Sequence, residues 1–419
     1  MEKPPQELYR EREQRINDAI QLKVPDRVPF FLPAGLFPAK YVGMTFEEAF
    51  YNADKWFEAH KRVNQDFESD LYWTPKFAVF TSGQALEAVD CRFMKWPGHG
   101  VSPDHCHQFV EGEYMKADEY DAFLDDPSDY AVRTVVPRAF GALEPLTLLP
   151  PLKIMFLGYG TVGLSALITV PEIAKAFSSL HQTGLEAAKW DAAGAEFNRE
   201  MCDLGFPPLA GDAALALAPF DVISDFLRGM RGTMLDMYRQ PDKLLQAIEK
   251  VEPMMIELAL MAAQMSGVPR VFIPLHRGAD GFMSNEQFET FYWPGLKKLF
   301  LSLIQAGVTP CPIFEGCYDS RLQYLRELPA GKIFGMFDST DVFKAKETIG
   351  DTICIVGNLP LSLLQTGTPE QVRDYSKRLI DEVGKDGGFI MSTRAALDEA
   401  HPDLVRVWAD FTREYGTYD

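Results

Sequence analysis

Two stretches of the chain decide the fold: RVFIPLHRGADG at residues 270–281 and TPCPIFEGC at residues 309–317. In each stretch, six mostly apolar residues are followed at once by charged or sulfur-bearing side chains. An apolar run without alternation is typical of a parallel strand that is covered on both faces. We therefore predict buried parallel strands at Arg270–Leu275 and Thr309–Phe314.

Further apolar runs with the same character follow these two. They predict strands at Ile333–Phe337, Ile353–Gly357 and Gly388–Ser392, separated by amphipathic segments near 285–306, 319–328, 341–349 and 368–385. The last helix has a clear start, with Thr368 as N-cap, Pro369 in the first turn and Gln371 to complete a capping box. Strand and helix alternate about five times, which predicts a parallel α/β architecture.

The N-terminal half is harder to interpret from its pattern. It suggests a helix at Arg10–Leu22, a strand at Val28–Leu32 and long helices at 171–204 and 241–267, without a Ser- or Gly-rich linker. The length of 419 residues would allow two or three domains, but α/β barrels often run this long as one unit. We predict a single domain over residues 1–419: a (β/α)8 TIM-type barrel with an N-terminal helical extension (1–25) and insertions within 36–150. A doubly wound sheet is the alternative.

The composition limits the possible partners. Sixty acidic residues against 41 Lys and Arg give a formal net charge of −19. Such a surface repels phosphate backbones and anionic lipid heads, so we expect neither nucleic acid nor membrane as the main partner. The charged start of the chain has no apolar signal region, and six cysteines are too few for a disulfide scaffold. We expect a cytoplasmic enzyme.

The residues that follow the predicted strands are candidates for a reaction site. In parallel α/β barrels this site lies at the carboxyl ends of the strands, where His276, Glu315 and Cys317 occur here. One imidazole, one carboxylate and one thiol are a suitable set for a zinc ion with an open position. Glu315 and Cys317 are two residues apart, so both side chains of an extended segment point the same way. Asp338 and Asn358 also follow strands, although an aspartate there commonly caps the next helix.

Two other patterns are weaker. Asp104-His105-Cys106-His107 holds possible metal ligands, but consecutive residues rarely all reach one ion, and we expect a solvated loop. GYGTVG at 158–163 matches a dinucleotide-binding fingerprint, yet the second strand that the motif requires is missing. We interpret it as a glycine-rich βα loop. His60 and His181 fall in helical patterns and are not expected to be ligands.

At these residues the sequence resembles the uroporphyrinogen decarboxylase superfamily, and most of all its corrinoid-dependent methyltransferase branch. The resemblance is best over about 235–419 and more diffuse before it. The motifs that carry it are YRQPD at 238–242, HRGADGFMS at 276–284, FEGCYDSRL at 314–322, GNLPLSLLQTGTPEQV at 357–372, GGFIMS at 387–392, WPGHG at 96–100 and VEGEYMKADEYD at 110–121. The resemblance implies a (β/α)8 barrel, in agreement with the strand–helix pattern.

The differences from the superfamily indicate which activity the resemblance implies. Uroporphyrinogen decarboxylases hold the substrate carboxylates with an arginine-rich N-terminal segment, whereas residues 26–35 here contain only Arg27. The methanol- and methylamine-linked methyltransferases bind zinc through a His-x-Cys pair and a distant Cys. This chain has Glu315-Gly316-Cys317 in place of the pair and no thiol within 391–396. His276 would then be the third ligand beside Glu315 and Cys317, and the motifs look like those of presumed aryl methyl ether demethylases.

The resemblance therefore implies a zinc-dependent methyltransferase. It would move a methyl group from a small donor, such as a methoxylated aromatic or similar methyl ether, to the Co(I) corrinoid of a partner protein. The sequence shows no cobalamin-binding DxHxxG motif, so we expect the corrinoid to arrive on that partner. The alternatives are a metal-free decarboxylase or other lyase, and a non-catalytic binding protein on the same barrel. The sequence leaves open whether the chain forms a homo-oligomer.

The remaining polar residues of these motifs have expected supporting roles. Asp280, Asp338 and Asn358 would orient the donor or the ligating imidazole. Arg277, Tyr318 and Arg321 would contact the donor, with Arg321 holding a carboxylate of an aromatic donor. An ordinary salt bridge is an equally good interpretation of Arg321.

Overall fold

The computed structural model describes residues 3–418. Its strands are β1 (Phe31–Leu32), β2 (Leu71–Tyr72), β3 (Met94–Pro97), β4 (Gly100–Val101), β5 (Gln108–Phe109), β6 (Arg270–Leu275), β7 (Thr309–Phe314), β8 (Phe334–Phe337), β9 (Cys354–Val356) and β10 (Phe389–Ile390). The longer α-helices are α1 (Pro5–Ile20), α2 (Ala53–Phe67), α3 (Gly158–Leu167), α4 (Pro171–Asp203), α5 (Gly229–Arg239), α6 (Pro241–Ser266), α7 (Trp293–Gln305), α8 (Val342–Ile349), α9 (Pro369–Leu379) and α10 (Pro402–Tyr415). Shorter helices are Phe37–Val42, Phe46–Tyr51, Gly83–Ala88, Tyr120–Asp125, Pro127–Tyr130, Val136–Ala139, Pro219–Ile223, Asn285–Gln287, Leu322–Leu325 and Leu361–Thr366.

The central sheet is parallel, with its strands in the order β10-β9-β8-β7-β6. All five of these strands were predicted, and two of them match the predicted bounds to the residue. The sequence of the strands in the sheet follows their order in the chain. A doubly wound sheet would reverse that order at a switch point, so the structure does not support the alternative.

Hydrogen bonds extend this sheet into a ring. Met391, which follows β10, forms a parallel bridge to Phe30 before β1, and β1 pairs in parallel with β2. Residues 207–216 then connect β2 to β6, since Tyr72 bridges Pro208 and Leu215 bridges Phe272, both in parallel. The α/β class is confirmed, and these eight segments have the connectivity that a (β/α)8 barrel requires.

Aromatic side chains fill the interior of this ring. Phe31 of β1 and Phe334 of β8 are not neighbours in the hydrogen-bonded order, yet their ring centroids lie 5.8 Å apart. Trp73 contacts Phe31 at 6.2 Å and Phe272 of β6 at 5.4 Å. Contacts between non-adjacent strands must cross the interior, which is therefore a packed core.

The insertions within 36–150 form a second layer. They contain short helices and a small sheet in which β3 pairs in parallel with β4 and antiparallel with β5. Their apolar residues, Trp56 and Trp96 among them, pack with α4 in a second hydrophobic core. Such short elements carry little periodicity, which explains why the sequence did not predict them.

The structure corrects one interpretation here. Residues 158–163 begin helix α3, and a short 3-10 helix at Leu152–Phe156 precedes them in place of a strand. The glycine-rich βα loop predicted at this point was wrong. Elsewhere, the N-terminal helix expected within residues 1–25 is present as α1. Within residues 3–418, the structure contains no helix that is both long and apolar enough to cross a membrane.

Candidate active site at the strand ends

The carboxyl ends of β6, β7, β8 and β9 lie at one edge of the ring because these strands are parallel. His276 and Arg277 follow β6, and Glu315 follows β7. Asp338 follows β8, and Asn358 lies two residues beyond β9. The structure therefore brings the predicted strand-end residues to the same mouth.

His276 is held by a carboxylate that the sequence did not suggest. Its Nδ1 lies 2.5 Å from Oδ2 of Asp225, and Oδ1 of Asp225 is 3.1 Å from the guanidinium of Arg277. Burial disfavours the charged imidazolium, but the hydrogen bond to Asp225 and the charges of Asp221 and Glu315 outweigh it. Together they raise the pKa of His276 to about 9.

Asp221 fixes the backbone that carries this imidazole. The carboxylate is fully buried and accepts hydrogen bonds from the backbone N–H of His276 (2.9 Å), that of Arg277 (3.1 Å) and the Tyr292 hydroxyl (2.8 Å). Burial raises the pKa of Asp221 to about 7, although the nearby His276 favours its charged form. The Asp221 carboxylate thus fixes the position of His276 at the end of β6.

Glu315 lies beside His276 at the mouth, because β6 and β7 are neighbours in the sheet. Its Oε1 lies 3.9 Å from Nε2 of His276, the ring nitrogen that Asp225 leaves free. About half of the Glu315 side chain is exposed, so the pair borders open space. Partial desolvation raises the pKa of Glu315, while the His276 charge opposes this effect.

Two of the predicted positioning residues hold the turn that presents Glu315. Oδ2 of Asp338 accepts a hydrogen bond from the backbone N–H of Gly316 (2.8 Å), where a φ of +82° favours glycine. Nδ2 of Asn358 donates to the carbonyls of Asp338 and Thr340, each at 2.9 Å. Both residues therefore act on the site through the backbone.

Cys317 lies apart from His276 and Glu315. Its Sγ donates a hydrogen bond to Oδ2 of Asp280 (3.6 Å), and Asp280 also accepts from the N–H and hydroxyl of Ser320. Desolvation raises the pKa of Cys317, which favours the thiol over the thiolate. Asp280 therefore organises the 317–320 turn, and its carboxylate is occupied there.

The predicted donor contacts Tyr318 and Arg321 are buried, each with 1% of its surface exposed. The Tyr318 hydroxyl donates to the carbonyl of Leu275 (3.4 Å), and Arg321 donates to the carbonyl of Met283 (2.5 Å) beside the Phe288 ring. Both side chains therefore support the loops that surround the mouth, and their contact with the donor stays a prediction. Only Arg277, of the three expected contacts, retains an exposed edge.

The predicted zinc ligands fit an ion only in part. Nε2 of His276 and the Glu315 carboxylate converge, and a carboxylate on Nδ1 is common for zinc-binding histidines. The Cys317 thiol, however, is engaged by Asp280. Within residues 3–418, no three His, Cys, Asp or Glu side chains are arranged so that they could hold a metal ion. The three residues do not form one donor set as they stand.

The His276–Asp225 pair predicts a specific pH dependence. The free energy of unfolding of the metal-free protein should fall as the pH rises from about 6.5 to about 9. The folded protein keeps the His276 proton up to about pH 9, whereas the unfolded chain releases it near 6.5. Asp225→Asn lowers the pKa of His276, so chemical unfolding at several pH values should show a smaller fall.

Asp121→Asn is the matched control, because this carboxylate is 80% exposed and pairs with Lys243, which is not part of the strand-end site. It should leave the pH dependence unchanged. An equal fall in the wild type and in Asp225→Asn would contradict the assigned role of Asp225.

The chain is similar to proteins of known family. The uroporphyrinogen decarboxylase (URO-D) family model matches residues 210–415. This region, the C-terminal half of the chain, is therefore similar to the uroporphyrinogen decarboxylase family. The matched region contains β6 to β10 and every residue of the site described above. The resemblance inferred from the motifs is therefore confirmed for the superfamily.

Two known proteins are similar to this chain, one in sequence and one in structure. A uroporphyrinogen decarboxylase of Chlorobium phaeobacteroides is 21% identical over 183 residues, which are 42% of this chain and 51% of that protein. The chain thus spans about half the length of this curated relative. The structure of a methyltransferase from Methanosarcina mazei covers 96% of this chain and 98% of its own, with a TM-score of 0.61 and 14% identity. At that identity the likeness shows a shared fold.

Asp221 and Asp225 are the site residues that the sequence did not reveal. They lie four residues apart, in the helix Pro219–Ile223 and in the π-helix Ser224–Arg228 that continues it, and both follow the irregular segment 207–216. That segment is rich in Ala, Gly and Pro, so it was not recognised as part of the ring. Had it been recognised, the two carboxylates would have stood out as strand-end residues.

Proposed function

We propose that this protein transfers a methyl group from a small donor, a methoxylated aromatic or similar methyl ether, to the Co(I) corrinoid of a partner protein. The observation that carries the proposal is the His276–Asp225 pair, whose free Nε2 faces Glu315 at the open mouth. The superfamily match and the fold shared with a methyltransferase support it.

The ion pair that Arg27 forms with Asp70 argues against a porphyrinogen substrate. Arg27 is the sole arginine of segment 26–35, and both of its terminal nitrogens are 2.8 Å from the Asp70 carboxylate. Asp70 is fully buried and also binds Arg15. A guanidinium engaged in this way is not free to hold substrate carboxylates, of which uroporphyrinogen has several. A methyl donor has no such requirement.

The chemistry of methyl transfer requires stabilisation of the leaving oxygen. The carbon–oxygen bond breaks, its electron pair stays on oxygen, and the methyl group passes to the Co(I) of the partner. His276 Nε2 is the group at the strand ends that can stabilise the charge on this oxygen, and Asp225 fixes the orientation of its ring. Asp221, Asp338 and Asn358 hold the backbone on both sides.

Zinc is part of the proposal and needs its own test. A bound zinc would supply Lewis-acid stabilisation of the oxygen, but all three predicted ligands could reach it only if Cys317 left Asp280. We expect about one zinc per chain in protein purified without chelator, and its loss in Glu315→Ala and Cys317→Ala. Elemental analysis measures this directly. Cys202→Ala removes an exposed thiol and should keep the zinc.

If the protein held no zinc even after reconstitution, the proposed zinc site would be rejected. That result would favour the alternative of a metal-free lyase, a decarboxylase or a binding protein, which the engagement of Cys317 by Asp280 already supports.

The activity itself is tested with a supplied Co(I) corrinoid protein. A panel of methoxyarenes, methylamines, methyl thioethers and glycine betaine is added in turn, and the cobalt spectrum is followed. Conversion to methyl-Co(III) with a methoxyarene is the expected result. If no donor changes the spectrum, the methyltransferase proposal is rejected.

A further inference from the structure

A cavity of about 110 Å³ lies on the opposite side of the same mouth. Most of its lining residues follow β1, β2 and β10, whereas His276 and Glu315 follow β6 and β7. The side chains that matter for its chemistry are those of His60, Trp73, Phe77, Cys106, His107 and Asp398. None of them belongs to the site described above.

Two aromatic rings, those of Trp73 and Phe77, form part of the walls of this cavity. Trp73 and Phe77 both pack on Phe272 of the ring interior, with centroids 5.4 and 4.8 Å away. A cavity of about 150 Å³ with apolar walls holds a benzene molecule, and this one is smaller but partly open. It can therefore take no more than a single ring, whose substituents extend out of the cavity.

Several polar atoms in these walls have no partner. His60 is only 1% exposed; although one ring nitrogen lies near the backbone of Gly35, neither ring nitrogen has a hydrogen-bond partner of good geometry within the described residues. The same holds for Nδ1 of His107 and Nε1 of Trp73. Buried polar atoms are normally hydrogen-bonded, so four unpartnered nitrogens around one cavity indicate an occupant with polar atoms.

Loop 104–107 supplies part of these walls. It was expected to be solvated, and Asp104 and His105 are exposed as predicted, but Cys106 and His107 are half-buried and turn inward. Desolvation lowers the pKa of His107, and it lowers that of His60 to about 3. Both imidazoles are therefore neutral, and each can donate and accept a hydrogen bond.

The charges of the lining select against ionic ligands. No lysine or arginine lines the cavity among residues 3–418, and Asp398, which accepts from the Leu36 N–H at 2.7 Å, supplies a negative charge. A carboxylate would meet that charge without a cation to balance it. A quaternary ammonium group would leave the four nitrogens unpartnered.

We propose that this cavity binds a neutral, single-ring arene that carries a hydroxyl or ether oxygen. The ring lies against Trp73 and Phe77, and a hydroxyl oxygen on the ring pairs with His60 or His107, which leaves the oxygen of the methyl ether free for His276. This inference rests on the proposed function in one respect: it identifies the occupant as the methyl donor. It excludes donors with a carboxylate, and it assigns Trp73, Phe77 and His60 to donor specificity.

The test is direct binding of 2-methoxyphenol, measured by calorimetry and by Trp fluorescence on the metal-free and metal-loaded protein. We expect binding that quenches Trp fluorescence, a quench that Trp73→Phe removes, and much weaker binding of benzoate and tetramethylammonium. His60→Leu should weaken binding about tenfold, because one hydrogen bond to the oxygen is lost. His181→Leu, at an exposed position of α4, should bind as the wild type does.

A second variant covers the case in which His60→Leu fails to fold. Ala78→Leu fills the cavity from its wall and should abolish binding. No binding of 2-methoxyphenol to the wild type, unchanged binding in Ala78→Leu, or preferred binding of benzoate would each overturn the inference. The two proposals can fail separately. If Ala78→Leu leaves methyl transfer from 2-methoxyphenol intact, only the proposed role of the cavity is contradicted. Cavity binding without transfer from any donor contradicts the proposed function.

Discussion

His276→Ala is expected to lower the rate of methyl transfer by about 10²–10⁴-fold, the usual loss when a positioned acid, base or charge-stabilising group is removed. The substitution removes Nε2 from the mouth and leaves the carboxylates of Asp225 and Glu315 without the imidazole between them. The rate is measured from the cobalt spectrum with a saturating donor and a fixed amount of corrinoid protein.

Asp225→Asn separates positioning from direct contact. It retains the imidazole but weakens the hydrogen bond that fixes the ring, so we expect a loss of about 10–100-fold, mainly in kcat. His181→Ala, at an exposed position of α4, should keep the full rate. If His276→Ala transferred methyl groups at the wild-type rate while circular dichroism showed an intact fold, the strand-end site would be ruled out.

Phe334→Ala is expected to lower the free energy of unfolding by about 3–5 kcal/mol, the range for removing a buried phenylalanine. Phe334 is fully buried and contacts Phe31 across the ring interior, so the deletion opens a cavity between two non-adjacent strands. Urea unfolding followed by circular dichroism measures the change.

Phe156→Ala is the matched control for Phe334→Ala. This phenylalanine is 92% exposed, so its loss should change the free energy of unfolding by no more than about 0.5 kcal/mol. Equal effects of the two substitutions would contradict the packing of the ring interior.

The part of the fold that the sequence predicted is the part with long apolar strands. β6 and β7 have six residues each and are buried along almost their whole length, so their continuous apolar runs were unmistakable. β1 and β2 have two residues each, and segment 207–216 is held only by isolated bridges. Elements this short have no measurable period, and only the tertiary hydrogen bonds define them.

The site residues were likewise predicted where they follow long strands and missed where they do not. His276 and Glu315 follow well-marked strands, and the structure places them face to face. The thiol of Cys317 was predicted from its two-residue spacing, but the positive φ of Gly316 turns the backbone, so the extended geometry behind that prediction does not apply. The role of Asp221 depends on burial against a loop distant in sequence, which no local pattern shows.

The bridge between Phe30 and Met391 has a consequence for how the protein is made. The first strand of the ring finds one of its two neighbours only about 360 residues later in the chain. During synthesis, the ring cannot close until Met391 has left the ribosome. Until then the backbone of β1 and the apolar faces of β6 to β9 stay open to other chains. We therefore expect nascent chains that end before β10 to depend on chaperones. Variants truncated before β10 should yield insoluble protein.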